Sequence, residues 1–285
     1  MNIEILLVPY DSARRAWRCG AGPEHLLRAG LVGHLESRGH RVAGVQVIDD
    51  DPDQAPAEIR TAFELMRRVS VAVRAARSVG RFPVLLSGNC NAAVGVLSGL
   101  APAHRAVLWF DAHGESNTPE TTTTGFLDGM GLSTALGWCW QSLAATVPGF
   151  QPVAAESAVL MGVRDLDGQE AALLAGSGVH RLPAGHVAAR LQNLLGAPAF
   201  EEALAYVHLD PDAFDPDTVG RGNTHPVPGG LSVEELVAAI AAIRARMPIG
   251  AFTVASYDPE GDGDGAVCRA AFAALDAVLE SPGSG

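Results

Sequence analysis

The sequence predicts a doubly wound α/β domain, on three observations. Short β-rich runs alternate with longer Ala- and Leu-rich stretches along the whole chain, which is the pattern of βαβ units. Most of the β-rich runs are continuously apolar, as strands of a parallel sheet are when helices cover both faces. Third, no internal repeat or long linker divides the 285 residues, so residues 1–285 are expected to form one domain, a length that α/β domains reach.

The elements follow in order. A first strand is expected at Ile3–Val8, then a helix at Glu24–Leu35, a strand at Val42–Ile48, a long helix at Glu58–Val79 and a strand at Val84–Ser87. Helix Ala92–Leu100 leads to strand Ala106–Asp111. No charged residue lies between Asp128 and Glu156, but Gly129, Gly131, Gly137, Gln141, Pro148 and Gly149 interrupt that stretch, so a buried helix at Met130–Leu136 and a loop are expected in place of a membrane span. Strand Ala158–Val163, helix Gln169–Gly176, strand Val179–Leu182, helix His186–Leu195 and strand Leu204–Asp210 come next. Ser232 precedes Val233-Glu234-Glu235 and is a suitable N-cap for helix Val233–Arg246. Strand Phe252–Ser256 and helix Ala266–Glu280 complete the pattern, with a loose tail expected at Ser281–Gly285.

A hydrophobic content of 48% against 18% charged residues supplies a sizeable core and argues against disorder. The net charge of −12 repels phosphate backbones and acidic lipid, so nucleic acid and membrane are not expected as partners, and cations are favoured. Cys19, Cys90, Cys139 and Cys268 are too few and scattered for a disulfide framework, which suits a reducing cytoplasm. The start, Met1-Asn2-Ile3-Glu4, has no basic region before its apolar run and reads as a strand, not a signal peptide.

In an open parallel sheet, ligands bind beyond the carboxyl ends of the strands. Val107-Leu108-Trp109-Phe110 is followed by Asp111-Ala112-His113-Gly114-Glu115, and Tyr206-Val207-His208-Leu209 by Asp210-Pro211-Asp212. Alternate residues of an extended segment point the same way, so Asp111, His113 and Glu115 can converge, and so can Asp210 and Asp212. Carboxylates crowded around one imidazole repel each other unless cations neutralise them, and such a donor set suits Mn²⁺ or a related hard divalent ion. Either motif alone is weak, because aspartates at these places often only cap helices. Together they point to metal.

These residues, with Gly20-Ala21-Gly22-Pro23-Glu24, Gly162-Val163-Arg164-Asp165-Leu166-Asp167, Asp210-Pro211-Asp212-Ala213-Phe214-Asp215-Pro216 and Pro228-Gly229-Gly230-Leu231, resemble in order the blocks of the ureohydrolase family of arginase, agmatinase and relatives. The resemblance covers most of the chain. It implies a three-layer α/β/α sandwich around an eight-stranded parallel sheet. It also implies two manganese ions at the strand ends, held by Cys90, Asp111, His113, Glu115, Asp210 and Asp212, and water activated there to attack a guanidino carbon.

Departures from the family pattern narrow the expected chemistry. Ser87-Gly88-Asn89-Cys90-Asn91 stands where the family has Gly-Gly-Asp-His-Ser, putting Cys90 at a ligand histidine, where a thiolate would alter metal preference. Asp128 stands for a proton-shuttling histidine, Glu115 for a shorter carboxylate, and Ser256 for the glutamate that receives the guanidinium. Asn117 and Thr124 resemble the loop that holds an α-carboxylate, and Asp167 and Glu170 the carboxylates that receive an α-ammonium, so a small-molecule α-amino acid is the expected partner. Without a carboxylate opposite it, arginine's permanent cation pays desolvation with little return, whereas a less basic N-hydroxyguanidine enters neutral and offers Ser256 a hydroxyl. The pattern thus resembles the enzymes of D-cycloserine biosynthesis that cleave Nω-hydroxy-L-arginine to hydroxyurea and ornithine, with Glu115 and Asp128 in the catalytic roles. Arginine hydrolysis, or an arginase-like binding protein without activity, are the other expectations. The sequence leaves open whether the protein is a monomer or a homo-oligomer.

Overall fold

Eight parallel strands form the sheet seen in the computed structural model, which describes residues 1–101 and 103–280. The expected tail at 281–285 lies outside the described residues. In chain order the strands are β1 (Asn2–Val8), a small antiparallel hairpin of β2 (Tyr10–Asp11) and β3 (Arg14–Arg15), then β4 (Arg41–Val47), β5 (Phe82–Ser87), β6 (Arg105–Phe110), β7 (Ala158–Met161), β8 (His180–Leu182), β9 (Leu204–Leu209) and β10 (Ile249–Ala255). The sheet runs β4-β1-β5-β10-β9-β6-β7-β8. All eight expected strands are present within a few residues of their expected bounds; the six inner ones are apolar runs buried almost throughout, whereas the edge strands β4 and β8 are partly exposed.

The alternation of side chains divides the core into two layers. Ile3, Ile5, Leu7, Leu86, Leu108 and Phe110 pack on one face against Leu26, Leu31, Leu191, Ile240 and Ala274. Leu6, Leu85, Val107, Trp109 and Leu160 pack on the other against Phe63, Met66, Val69, Val94 and Leu97. The result is an α/β/α sandwich, as expected. Helix Val233–Arg246 begins where the sequence indicates, with Ser232 Oγ accepting the Glu235 N–H at 3.1 Å. The expected helix Glu24–Leu35 is instead two helices, Gly22–Arg28 and Leu31–Ser37. Gly30 between them has φ +97°, a left-handed conformation that glycine adopts without strain and that ends the first helix. The uncharged stretch after Asp128 holds short helices at Gly131–Ala135 and Gln141–Ala144. Among the described residues no helix is long and apolar enough to cross a membrane.

Candidate metal centre and substrate pocket

Strand order decides which chain segments meet. β5, β10, β9 and β6 are consecutive neighbours in the sheet, so their carboxyl ends place Cys90, Ser256, Asp210 and Asp111 side by side although they are far apart in sequence. A cavity of about 330 Å³ opens above them. Ten of the twelve site residues expected from the sequence line it: His113, Glu115, Asn117, Thr124, Asp128, Asp167, Glu170, Asp210, Asp212 and Ser256. The other two, Cys90 and Asp111, are 1% and 0% exposed and form the layer beneath.

Two donor groups share Asp111. Sγ of Cys90 and one oxygen each of Asp111 and Asp210 lie within 4.8 Å of one another, and so do one donor atom each of Asp111, His113 and Asp212. The loop backbone fixes these side chains: Asp111 Oδ1 accepts the His113 N–H at 2.7 Å, Asp210 Oδ1 the Asp212 N–H at 2.9 Å, and Asp212 Oδ1 the Ala112 N–H at 3.0 Å. Trp109 Nε1 donates to Asp111 Oδ2 at 2.9 Å. The Arg164 guanidinium clasps the segment from below, donating to the carbonyls of Asp212 at 2.8 Å and Val227 at 2.6 Å.

The electrostatics of this cluster call for a cation. Burial and the charge of Asp212 push the Asp111 carboxyl up to about 6. Burial and the same kind of crowding hold Asp210 and Glu115 well above the usual carboxylate range. Burial and neighbouring carboxylates also push the Cys90 thiol up, so the thiolate expected there requires a positive charge beside it. His113 Nδ1 stands 3.2 Å from Asp212 Oδ2 and 3.4 Å from Asp111 Oδ1. Against the cost of its burial, these two carboxylates raise the imidazole to about 12 and hold Asp212 down at about 2. Glu115 has φ +51° and lies outside both donor groups, and its buried Oε2 has no hydrogen-bond partner. A buried acceptor without a donor is costly. A hard divalent ion fits the oxygen donors and the imidazole, while the Cys90 sulfur makes the position it shares with Asp111 and Asp210 more acceptable to a softer divalent ion.

The remaining predicted residues are more committed to the scaffold than the sequence indicates. Asp128 Oδ1 accepts the Asn91 N–H at 2.8 Å, and its Oδ2 accepts the Cys90 N–H at 3.0 Å and Asn89 Nδ2 at 2.9 Å. It thereby caps the turn that carries Cys90, and burial pushes its carboxyl up to about 7. Asp167 accepts the N–H groups of Gln169 and Glu170, capping helix Gly168–Ala175, and also receives Asn117 Nδ2 at 2.9 Å. Glu170 Oε1 accepts the Ser116 N–H at 2.9 Å. Thr124 is exposed, and its Oγ1 accepts the Phe126 N–H at 3.2 Å. Ser256, at φ +54°, has its Oγ 3.3 Å from Cys90 Sγ and 3.5 Å from Asp128 Oδ2.

Sequence reasoning did not single out two residues at the centre. Asn223 Nδ2 donates to Asp212 Oδ2 at 2.8 Å and Asp210 Oδ1 at 3.1 Å, holding the two carboxylates together. His208, whose imidazole burial pushes down to about 3, stacks on Trp109 with ring centroids 3.7 Å apart. Its signal was a polar residue inside an otherwise apolar strand.

Comparison with known proteins agrees with this geometry. Residues 1–280 match the Arginase family. An arginase from Bacillus caldovelox is 31% identical over 254 residues, covering 82% of this chain and 83% of that protein. An N(omega)-hydroxy-L-arginine amidinohydrolase from Streptomyces lavendulae is 33% identical over 229 residues, covering 78% and 75%. The crystal structure of arginase from Bacillus subtilis superimposes with a TM-score of 0.87 at 24% identity, covering 99% of both chains, which shows the fold. The order of blocks in the sequence, the carboxylate-rich strand ends and these similarities together establish that the chain belongs to the arginase family, as a hydrolase of amidino groups.

Proposed function

We propose that the protein hydrolyses Nω-hydroxy-L-arginine to hydroxyurea and L-ornithine, using two divalent ions, with manganese as the expected metal. Cys90, Asp111 and Asp210 would hold one ion, and Asp111, His113 and Asp212 the other. Ions held by these residues would supply an activated water and polarise the guanidino group. Glu115, with its unpartnered Oε2, accepts a hydrogen bond from the attacking water. The bond from the guanidino carbon to the chain nitrogen breaks, and Asp128, whose Oδ2 lies 3.5 Å from the Ser256 hydroxyl at the cavity floor, passes a proton to the departing ornithine amine. Asp167 and Glu170 face the α-ammonium from the cavity wall, with Asn117 and Thr124 beside the α-carboxylate.

The observation that carries the choice of substrate is Ser256. Its hydroxyl, not a carboxylate, stands 3.3 Å from Cys90 Sγ at the floor of the site. A neutral N-hydroxyguanidine finds a hydrogen-bond partner there, and a guanidinium cation finds no countercharge on that residue. Similarity of 33% to a hydroxyarginine amidinohydrolase and 31% to an arginase supports the common chemistry equally well. The four cysteines are free and buried, and we place the protein in the cytoplasm. Hydroxyurea as product suggests a role in antibiotic assembly.

Steady-state kinetics of the manganese-loaded protein on both amino acids tests the reading. Hydroxyarginine is expected to give the higher kcat/KM. Arginine turnover at an equal or greater rate would assign the protein as an arginase, and no turnover of either, with metal bound, would make it a binding protein.

A further inference from the structure

The cavity is lined by eight aspartates and glutamates but, among the described residues, by a single arginine or lysine, Arg18. Its surroundings are unusual. Ser12, Ala13, Ala16 and Arg18 all have left-handed backbone, with φ between +45° and +64°. Non-glycine residues pay for that conformation, and a run of them persists where the surrounding structure imposes it. The segment is anchored accordingly: Arg15 pairs with Asp49 at 2.8 Å and Glu24 at 3.0 Å, and Arg14 stacks 4.0 Å from the Trp17 ring.

Arg18 itself is half-buried at the rim. Its Nη2 donates to Thr224 Oγ1 at 2.6 Å, and its guanidinium carbon lies 5.1 Å from the Trp17 ring. Among the described residues it makes no ion pair, despite the carboxylates around the cavity. Its remaining N–H groups are therefore available to a ligand. A guanidinium held against a ring and a hydroxyl is a pre-organised fork for a carboxylate.

We infer that Arg18 is a specificity-determining residue that receives the carboxylate of the substrate at the cavity rim, while the guanidino end lies at the floor by Cys90 and Ser256. The inference rests on the reading that the substrate is an α-amino acid. Asn117 and Thr124 are neutral, and Asn117 already gives an N–H to Asp167 and accepts Thr121 Oγ1 at 2.9 Å. Arg18 supplies what they lack, a positive charge that offsets the repulsion between the substrate carboxylate and the acidic wall.

The test measures binding apart from turnover. Titration calorimetry of the full-length, manganese-loaded protein with ornithine and with 1,4-diaminobutane gives the preference for a carboxylate. Arg18→Ala should reduce that preference about 10- to 100-fold, the range for a hydrogen bond to a charged group, and Arg18→Lys should restore part of it. In kinetics the KM for the amino-acid substrate should rise much more than kcat falls. Arg18→Gly, which removes the left-handed strain, should melt at or above the wild-type temperature while losing the preference to the same extent, which separates recognition from folding. A wild-type protein that binds ornithine no better than 1,4-diaminobutane, or an Arg18→Ala protein with unchanged preference, overturns the inference. Ornithine binding through Arg18 in a protein that hydrolyses neither arginine nor hydroxyarginine would support it and overturn the proposed reaction alone.

Discussion

The thiol of Cys90 lies 3.2 Å from Nε2 of His208, and the two side chains fill one space beneath the cavity floor. His208 Nδ1 is 2.8 Å from the Tyr206 hydroxyl, which donates to Thr253 Oγ1 at 2.8 Å. Burial keeps the imidazole neutral, so it is a polar partner for the sulfur and not a countercharge.

This contact predicts a size-complementary pair. An imidazole at Cys90, which is 1% exposed, collides with His208, and overpacking of this kind costs about 1–3 kcal/mol. Cys90→His alone is expected to lower Tm and metal content, Cys90→Ala to lower metal content with little loss of Tm, and Cys90→His combined with His208→Ser to recover both. Elemental analysis and thermal melts of the three variants check this. Full metal content in Cys90→Ala would show that the sulfur is packing only.

The metal-free protein is expected to lose stability as pH rises. Asp111, moved from 3.8 to about 6, and Asp128, moved from 3.8 to about 7, bind protons more tightly folded than unfolded. Between these limits the folded state holds more protons than the unfolded one, so unfolding becomes easier as pH increases. Two groups contribute in the opposite direction: Asp212, held at about 2, whose stability is already complete above its ordinary 3.8, and His208, pushed from 6.5 to about 3, which offsets part of the fall below pH 6.5 but is outnumbered there by Asp111 and Asp128. His113 contributes stability that is intact below 6.5 and declines towards about 12. Tm of chelator-treated protein should therefore fall from pH 5 to 7.5, and manganese should raise it most at the upper end, with protons released on binding. A metal-free Tm that rises across this window contradicts the assignment.

Much of this site was legible because strand-end position follows from the apolar runs: Asp111, His113, Asp210 and Asp212 come directly after β6 and β9. What was not legible depends on contacts between distant segments. His208 meets Cys90 across 118 residues, and Asp128 caps the Cys90 turn from 38 residues away. The backbone strain at Arg18 has no signature in composition or period. Gly30 is the reverse case, a glycine inside the expected helix Glu24–Leu35 whose left-handed conformation ends the first of two shorter helices.

Ser256 provides the last prediction. If its hydroxyl meets the N-hydroxyl of the substrate, Ser256→Ala removes one neutral hydrogen bond and should lower kcat/KM for hydroxyarginine by about 3- to 10-fold, with a smaller effect on arginine. The substitution leaves Asp128 with its three N–H donors and Cys90 with His208, so Tm should move little. Ser256→Glu places a carboxylate opposite the guanidino group and should shift the preference towards arginine, although the added bulk beside Cys90 will lower overall rates. The quantity to compare is the ratio of kcat/KM for the two substrates. If that ratio is the same in wild type and both variants, Ser256 does not select the substrate, and the preference must come from elsewhere in the cavity.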